Sequence, residues 1–192
     1  MSNDIAIGQK TNLRMSGAKI VLRALRDNSV KHIFGYPGAA LLPIYDELFQ
    51  QEEIIHVLCR HEQGAGHAAE GYARSSGKVG VMLVTSGPGV TNSITPLMNA
   101  LADSTPIVCL SGQVPTHLIG TDAFQECDTI GLTRPCTKHN WLVTDIDTLA
   151  ETIHLAFWIA KSGRPGPVLV DMPKDLLVRT GEYRPPSLVA NL

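Results

Sequence analysis

The hydrophobic pattern of the chain switches repeatedly between two periods. Apolar runs at residues 79–85, 107–110 and 168–170 predict short buried strands, and 54–58 reads as a further apolar strand. Between them the apolar positions fall at helical spacing. Ala18, Val21, Leu22 and Leu25 share one helical face behind Ser16, which is placed as an N-cap. Residues 41–49, 62–76, 90–101 and 146–161 also read as helices, with Gly77 closing the 62–76 helix and Asp145 opening the last. Shorter strands are expected at 32–34 and 141–143. Tight turns follow from Tyr36-Pro37-Gly38, Ser86-Gly87-Pro88-Gly89 and Gly163-Arg164-Pro165-Gly166, and 112–138 reads as a long irregular stretch.

Strands separated by helices pair in parallel through right-handed crossovers. The fold class expected is α/β, doubly wound, with a mostly parallel sheet of about six strands and helices on both faces. One domain is expected over 14–180, after a loose polar lead-in at 1–13 and before a linker that starts at 181–192, where Arg184-Pro185-Pro186-Ser187 stands.

Composition narrows the function classes. Of 192 residues, 44% are hydrophobic and 18% charged, which supports a packed core and argues against disorder. A net charge of −2 gives no footing for nucleic acid or a membrane surface, and no segment is long and apolar enough to span a bilayer. The four cysteines, Cys59, Cys109, Cys127 and Cys136, form no C-x-x-C pair and read as reduced thiols in a cytoplasmic protein. The histidines show no H-E-x-x-H spacing, so no metal site is expected, and the absence of G-x-S-x-G leaves a serine hydrolase unsupported.

Four places carry candidate chemistry. Glu62 stands where an apolar strand hands over to a helix rich in Gly and Ala, a point that faces the ligand crevice of a parallel sheet. A carboxylate in apolar surroundings there can take up and return a proton; the plainer reading is a charge that complements the helix dipole. The run Thr85-Ser86-Gly87-Pro88-Gly89-Val90-Thr91-Asn92 presents backbone to a ligand, or is an ordinary tight turn. The loop holding Pro115, Phe124 and Gln125 pairs an aromatic face with an amide, which suits an organic ligand or merely packs the loop. Arg164, in a rigid turn, grips an anion or faces solvent.

Together these blocks resemble the N-terminal, pyrimidine-binding domain of the acetolactate synthase (acetohydroxyacid synthase) family of thiamine diphosphate enzymes. The matching pieces are F-G-Y-P-G-A-A-L-L-P-I-Y-D (34–46), R-H-E-Q-G-A-G-H-A-A-E-G-Y-A-R (60–74), T-S-G-P-G-V-T-N (85–92), S-G-Q-V-P (111–115), I-G-T-D-A-F-Q-E (119–126) and S-G-R-P-G-P-V-L-V-D-M-P-K-D (162–175). The resemblance implies decarboxylation of pyruvate and carboligation to a second 2-keto acid, pyruvate or 2-oxobutyrate, in branched-chain amino acid biosynthesis. It implies that Glu62 shares a proton with the pyrimidine of thiamine diphosphate, that Pro88 and Asn92 line that pocket, and that Gln125 reaches its cofactor or substrate side. Arg164 matches an arginine that holds a structural FAD. Ala39, Ala40, Pro115 and Phe124 match the substrate channel, and Ser104 and Lys138 match positions near its entrance. Where the family reads Gly-Gly-Ala, this chain has Gly38-Ala39-Ala40, and the extra methyl is expected to narrow that corner.

The resemblance also implies what lies elsewhere. In the family the cofactor's diphosphate is held through Mg2+ by a G-D-G…N motif of another domain, which these 192 residues do not contain. Family sites form between subunits of a homodimer or tetramer, with a regulatory subunit as a possible further partner. The chain is therefore expected to be a fragment of a three-domain subunit, inactive by itself. Two other readings stay open: another thiamine diphosphate 2-keto acid enzyme, of pyruvate oxidase or decarboxylase type, and a non-catalytic α/β ligand-binding or assembly module.

Overall fold

A computed structural model describes residues 13–184. The expected lead-in over 1–12 and the linker over 185–192 lie outside the described residues. The strands are β1 (Leu13–Ser16), β2 (His32–Gly35), β3 (Ile55–Leu58), β4 (Gly80–Val84), β5 (Ile107–Gln113), β6 (His139–Leu142), β7 (Pro167–Pro173) and β8 (Thr180–Tyr183). The helices are α1 (Gly17–Asp27), α2 (Leu42–Phe49), α3 (Glu62–Ser76), α4 (Pro88–Thr91), α5 (Ile94–Ala102), α6 (Thr129–Thr133), α7 (Ile146–Lys161) and α8 (Lys174–Val178).

Six strands form one all-parallel sheet in the order β3-β2-β4-β5-β7-β6. Alternate residues of its central strands feed two cores. Val81, Leu83, Val108, Leu110, Val168 and Val170 meet α1, α2, α7 and α8 on one face. Met82, Val84, Ile107, Cys109 and Leu169 meet α3, α4 and α5 on the other. Every residue of β4, β5 and β7 is buried, which is why these strands read as unbroken apolar runs. The doubly wound expectation therefore holds. The caps hold as well: the Ser16 hydroxyl accepts from Lys19 N, Asp145 accepts from Asp147 N, and Gly77 closes α3 at a φ of 71°.

The chain departs from the expected elements where the deciding interactions are not local. The helix expected over 90–101 is two helices, α4 and α5. Pro96 has no N–H for the carbonyl of Asn92 four residues earlier, and the chain breaks at Asn92–Ser93. β5 runs to Gln113, and the stretch after it carries short helical turns at Thr116–Leu118 and Arg134–Cys136 besides α6. β1 and β8 pair antiparallel at the two ends of the described chain. Leu13 thus belongs to a strand and not to the lead-in, and 181–183 to a strand and not to the linker.

One feature of the winding positions the site. From β2 the chain moves outward to β3 through α2 on one face, and from β4 it moves the opposite way to β5 through α4 and α5 on the other face. Adjacent β2 and β4 therefore send their continuations apart, which opens a crevice at their carboxyl ends, the place where doubly wound sheets bind ligands.

Candidate functional site

The crevice is walled by the loop after β2, the turn after β4 and the start of α3. Glu62 is the first residue of α3 and its side chain is only 8% exposed. His61 caps the helix, its Nδ1 accepting from Gln63 N at 3.1 Å. One carboxylate oxygen of Glu62, Oε2, accepts from Asn92 Nδ2 at 2.9 Å. The other, Oε1, faces Gly89, where a methyl would stand 3.6 Å away and only 2.9 Å from Thr85 Cγ2. Glycine there keeps the flank of the carboxylate open. Beside it, Thr85 Oγ1 is buried with no hydrogen-bond partner, a vacancy in polar pairing that a folded chain tolerates where a ligand supplies the partner.

The turn after β4 is shaped by close approach. Gly87 has φ 53° and ψ −110°, and a Cβ on it would stand 2.4 Å from the carbonyl oxygen of Gln125. The loop that carries Phe124 and Gln125 is thus pressed onto the turn. Gln125 itself sits at a φ of 57°, and Phe124 is 86% exposed at the rim. Gly38 meets the Thr85 side chain just as closely, at 2.3 Å from a would-be Cβ. Ala40 is buried with its methyl against Gly112, and Ala39 is exposed. Pro88 opens α4 on the outer side of the crevice and Pro115 follows β5.

Glu62, Asn92, Pro88, Gln125, Ala39, Ala40, Pro115 and Phe124 all follow the carboxyl ends of strands. Ser104, Lys138 and Arg164 do not: they precede β5, β6 and β7 and so lie at the amino edge of the parallel sheet. Ser104 and Lys138 therefore do not border the Glu62 crevice within this chain. Lys138 Nζ donates to the carbonyls of Ile159 and Ser162, and burial draws its pKa down. Arg164 Nε donates to Ser104 Oγ at 2.7 Å, and its Nη2 donates to the carbonyls of Leu101 and Ala102. Arg164 thus closes the carboxyl end of α5, where a cation also complements the helix dipole, and the geometry supplies no separate support for a flavin contact.

Three groups near the crevice escape sequence reading. Tyr45 of α2 bonds His56 Nε2 at 3.2 Å, and burial, then the charges of Cys59 and Glu62, push its hydroxyl pKa up. Burial lowers the pKa of His56, which fits a neutral ring accepting from the phenol. The third is Asp171 of β7, 1% exposed and bonded to Ser111 and Gln113 at the carboxyl end of the sheet. Burial pushes its carboxyl up to about 7 against the pull of those hydrogen bonds. Between roughly pH 4 and pH 7 the folded chain then holds a proton that the unfolded chain releases, so this group's contribution to stability falls as pH rises. The stability difference between the parent and Asp171→Asn is expected to decline across that window in thermal melts of the full-length protein; a flat difference contradicts it.

Comparison with known proteins fits the geometry. Residues 15–132 match the family model described as "Thiamine pyrophosphate enzyme, N-terminal TPP binding domain". The chain belongs to this family. It is also 58% identical over 163 residues to the acetolactate synthase isozyme 3 large subunit of Escherichia coli, covering 85% of this chain and 28% of that protein. It is 54% identical over 169 residues to the acetolactate synthase large subunit of Buchnera aphidicola from Schizaphis graminum, covering 88% and 30%. It is 57% identical over 161 residues to the mitochondrial acetolactate synthase catalytic subunit of Aspergillus candidus, covering 84% and 23%. The chain thus spans less than a third of the length of these curated relatives.

The residues of this thiamine pyrophosphate domain offer polar groups that a cofactor could engage: a buried carboxylate with one oxygen on a glycine flank, beside an unpartnered hydroxyl. Among the described residues no group of three His, Cys, Asp or Glu could hold a metal ion, and no helix is long and apolar enough to cross a membrane. Removing the bond from Asn92 leaves Glu62 with one donor fewer. Asn92→Ala in the full-length protein frees the Glu62 carboxylate to rotate and is expected to raise the half-saturating thiamine diphosphate concentration up to about tenfold, the net worth of the bond that orients it. An unchanged cofactor titration contradicts it.

Proposed function

We propose that this chain is the pyrimidine-binding part of an acetolactate synthase catalytic subunit, which decarboxylates pyruvate and joins the product to pyruvate or 2-oxobutyrate. The observation that carries the reading is the buried Glu62, held by Asn92 on one oxygen and open on the other at the switch point of the sheet. The names and 54–58% identity of the relatives support the reaction class.

Bound thiamine diphosphate supplies a nucleophilic carbon and an electron sink for 2-keto acid chemistry. The chain's residues bind and tune it. Glu62 Oε1 would meet a ring nitrogen of the aminopyrimidine and hold the proton shared between them. Asn92 fixes the carboxylate's rotation by engaging Oε2, so that exchange is directed to the free oxygen. Pro88, Thr85 and Gly89 would line the ring's face, and Gln125 would approach from the loop above Gly87. Burial of Glu62 excludes bulk water, so a proton shared with the ring would be kept from solvent. Ala39, Ala40, Pro115 and Phe124 surround the same edge and would border the substrate path.

The same proposal includes features this chain does not itself provide: Mg2+ and the diphosphate held by a further domain, a structural FAD near Arg164, sites assembled between subunits of a homo-oligomer, and a regulatory partner. Four free thiols suit a cytoplasmic setting. The test is product analysis of the full-length protein given pyruvate with and without 2-oxobutyrate. Acetolactate and acetohydroxybutyrate with release of CO2 are expected. Acetaldehyde or an acetyl product in their place would assign the chain to a decarboxylase or oxidase. The 192-residue chain alone is expected to form none of these products; carboligation by it would refute the half-site reading.

A further inference from the structure

Asp171 is a buried carboxylate with three uncharged hydrogen-bonding neighbours. Ser111 Oγ donates to its Oδ1 at 2.7 Å, Gln113 Nε2 donates to its Oδ2 at 3.0 Å, and Thr129 also bonds it. An ionisable group buried this deeply is costly to a core unless it is hydrogen-bonded. What these bonds do is fix the Gln113 side chain. The same Gln113 Nε2 lies 3.2 Å from the carbonyl of Cys127 and 3.2 Å from Thr129 Oγ1, and Gln113 Oε1 accepts from Val114 N at 2.8 Å. One amide therefore holds the chain as it leaves β5 and as it returns ahead of α6.

The segment between these attachments carries a clasp of its own. Glu126 Oε2 accepts from Ala123 N at 3.0 Å and its Oε1 from Gly120 N, which clasps 120–126 into one body. Gln125 sits in that body, two residues before Cys127, with its carbonyl against Gly87. Turning the Gln113 amide would shift the whole body over the Glu62 crevice. We propose that Asp171 is a positioning residue: by orienting Gln113 it hangs the clasped loop in place and so sets Gln125 over the pyrimidine pocket. The clamp is a statement about this fold alone, whereas its effect on the cofactor rests on the function proposed above.

The test uses full-length protein carrying Asp171→Leu, which removes both acceptors, and Asp171→Asn, which keeps one oxygen for Gln113. Hydrogen exchange reads the clamp without cofactor. In the Leu variant the amide of Val114 and those of 120–127 are expected to exchange about tenfold faster, with β4 and β7 still protected. The half-saturating thiamine diphosphate concentration is expected to rise about tenfold in the same variant, and Asp171→Asn to restore most of both. If Asp171→Leu does not fold, Gln113→Met, of similar length and without the amide, is expected to give the same signature. Parental exchange in the loop overturns the proposal, as does equal loss of protection in β4 and β7, which would mean general core support. A loosened loop with parental cofactor affinity also overturns the positioning role. Failure of the parent protein itself to bind thiamine diphosphate would instead sink the function proposed above and leave the exchange result standing.

Discussion

Glu62→Gln in the full-length protein is expected to lower turnover by about 10²–10⁴-fold, the range general acid–base groups supply, while the cofactor still binds within a few fold. The amide has the same shape, and its carbonyl oxygen can still accept from Asn92 Nδ2, now at 2.9 Å from Glu62 Oε2. What it loses is the capacity to trade a proton with a ring nitrogen at neutral pH. A carboxylate that only complemented the dipole of α3 would contribute about 0.3–1 kcal/mol to stability and nothing to turnover. Steady-state kinetics beside a cofactor titration separate the two. Near-parental turnover would return Glu62 to the role of a helix-start charge and favour a non-catalytic module.

Gly87→Ala is expected to destabilise the full-length protein by about 2–4 kcal/mol, combining backbone strain with displacement of a packed loop. At φ 53° and ψ −110° the backbone occupies a region closed to residues with a Cβ. The added methyl would also stand 2.4 Å from the oxygen and 2.8 Å from the carbon of the Gln125 carbonyl. Both are main-chain atoms, so no side-chain rotation relieves the contact. Either the turn after β4 or the 120–126 body must move, and cofactor half-saturation should rise together with the fall in thermal midpoint. Unchanged stability would mean that the loop does not rest on the turn as described.

The parts of this fold that are legible in the sequence are those fixed by neighbours along the chain. The end of α3 follows from Gly77 and the start of α7 from Asp145. Glu62 stands out because a strand, a helix start and small residues adjoin within a few positions. The β1–β8 pair is hidden because each strand is four residues long and finds its partner at the far end of the chain. Asp171 and Gln113 are hidden for the same reason: each looks like one polar residue spoiling an apolar strand, and only the register that sets Ser111 beside Asp171 explains them. Tyr45 and His56 likewise meet across α2 and β3.

Strand order adds a further distinction. Ser104 and Lys138 both precede strands. In a parallel sheet, residues before strands gather at one edge and residues after them at the other, so strand order alone separates Ser104, Lys138 and Arg164 from Glu62. The break at Asn92 was also within reach, since Pro96 cannot complete a helix begun at Val90. The break falls at the residue whose side chain bonds the Glu62 carboxylate.

The most direct measurement of the central claim is the rate at which the reactive carbon of bound thiamine diphosphate exchanges its proton for deuterium, followed by quenching and NMR without any keto acid. It isolates proton removal from substrate binding and product release. Rapid exchange is expected in the full-length parent, with a rate about 10²–10⁴-fold lower in Glu62→Gln at saturating cofactor. Equal rates in the two proteins would contradict it.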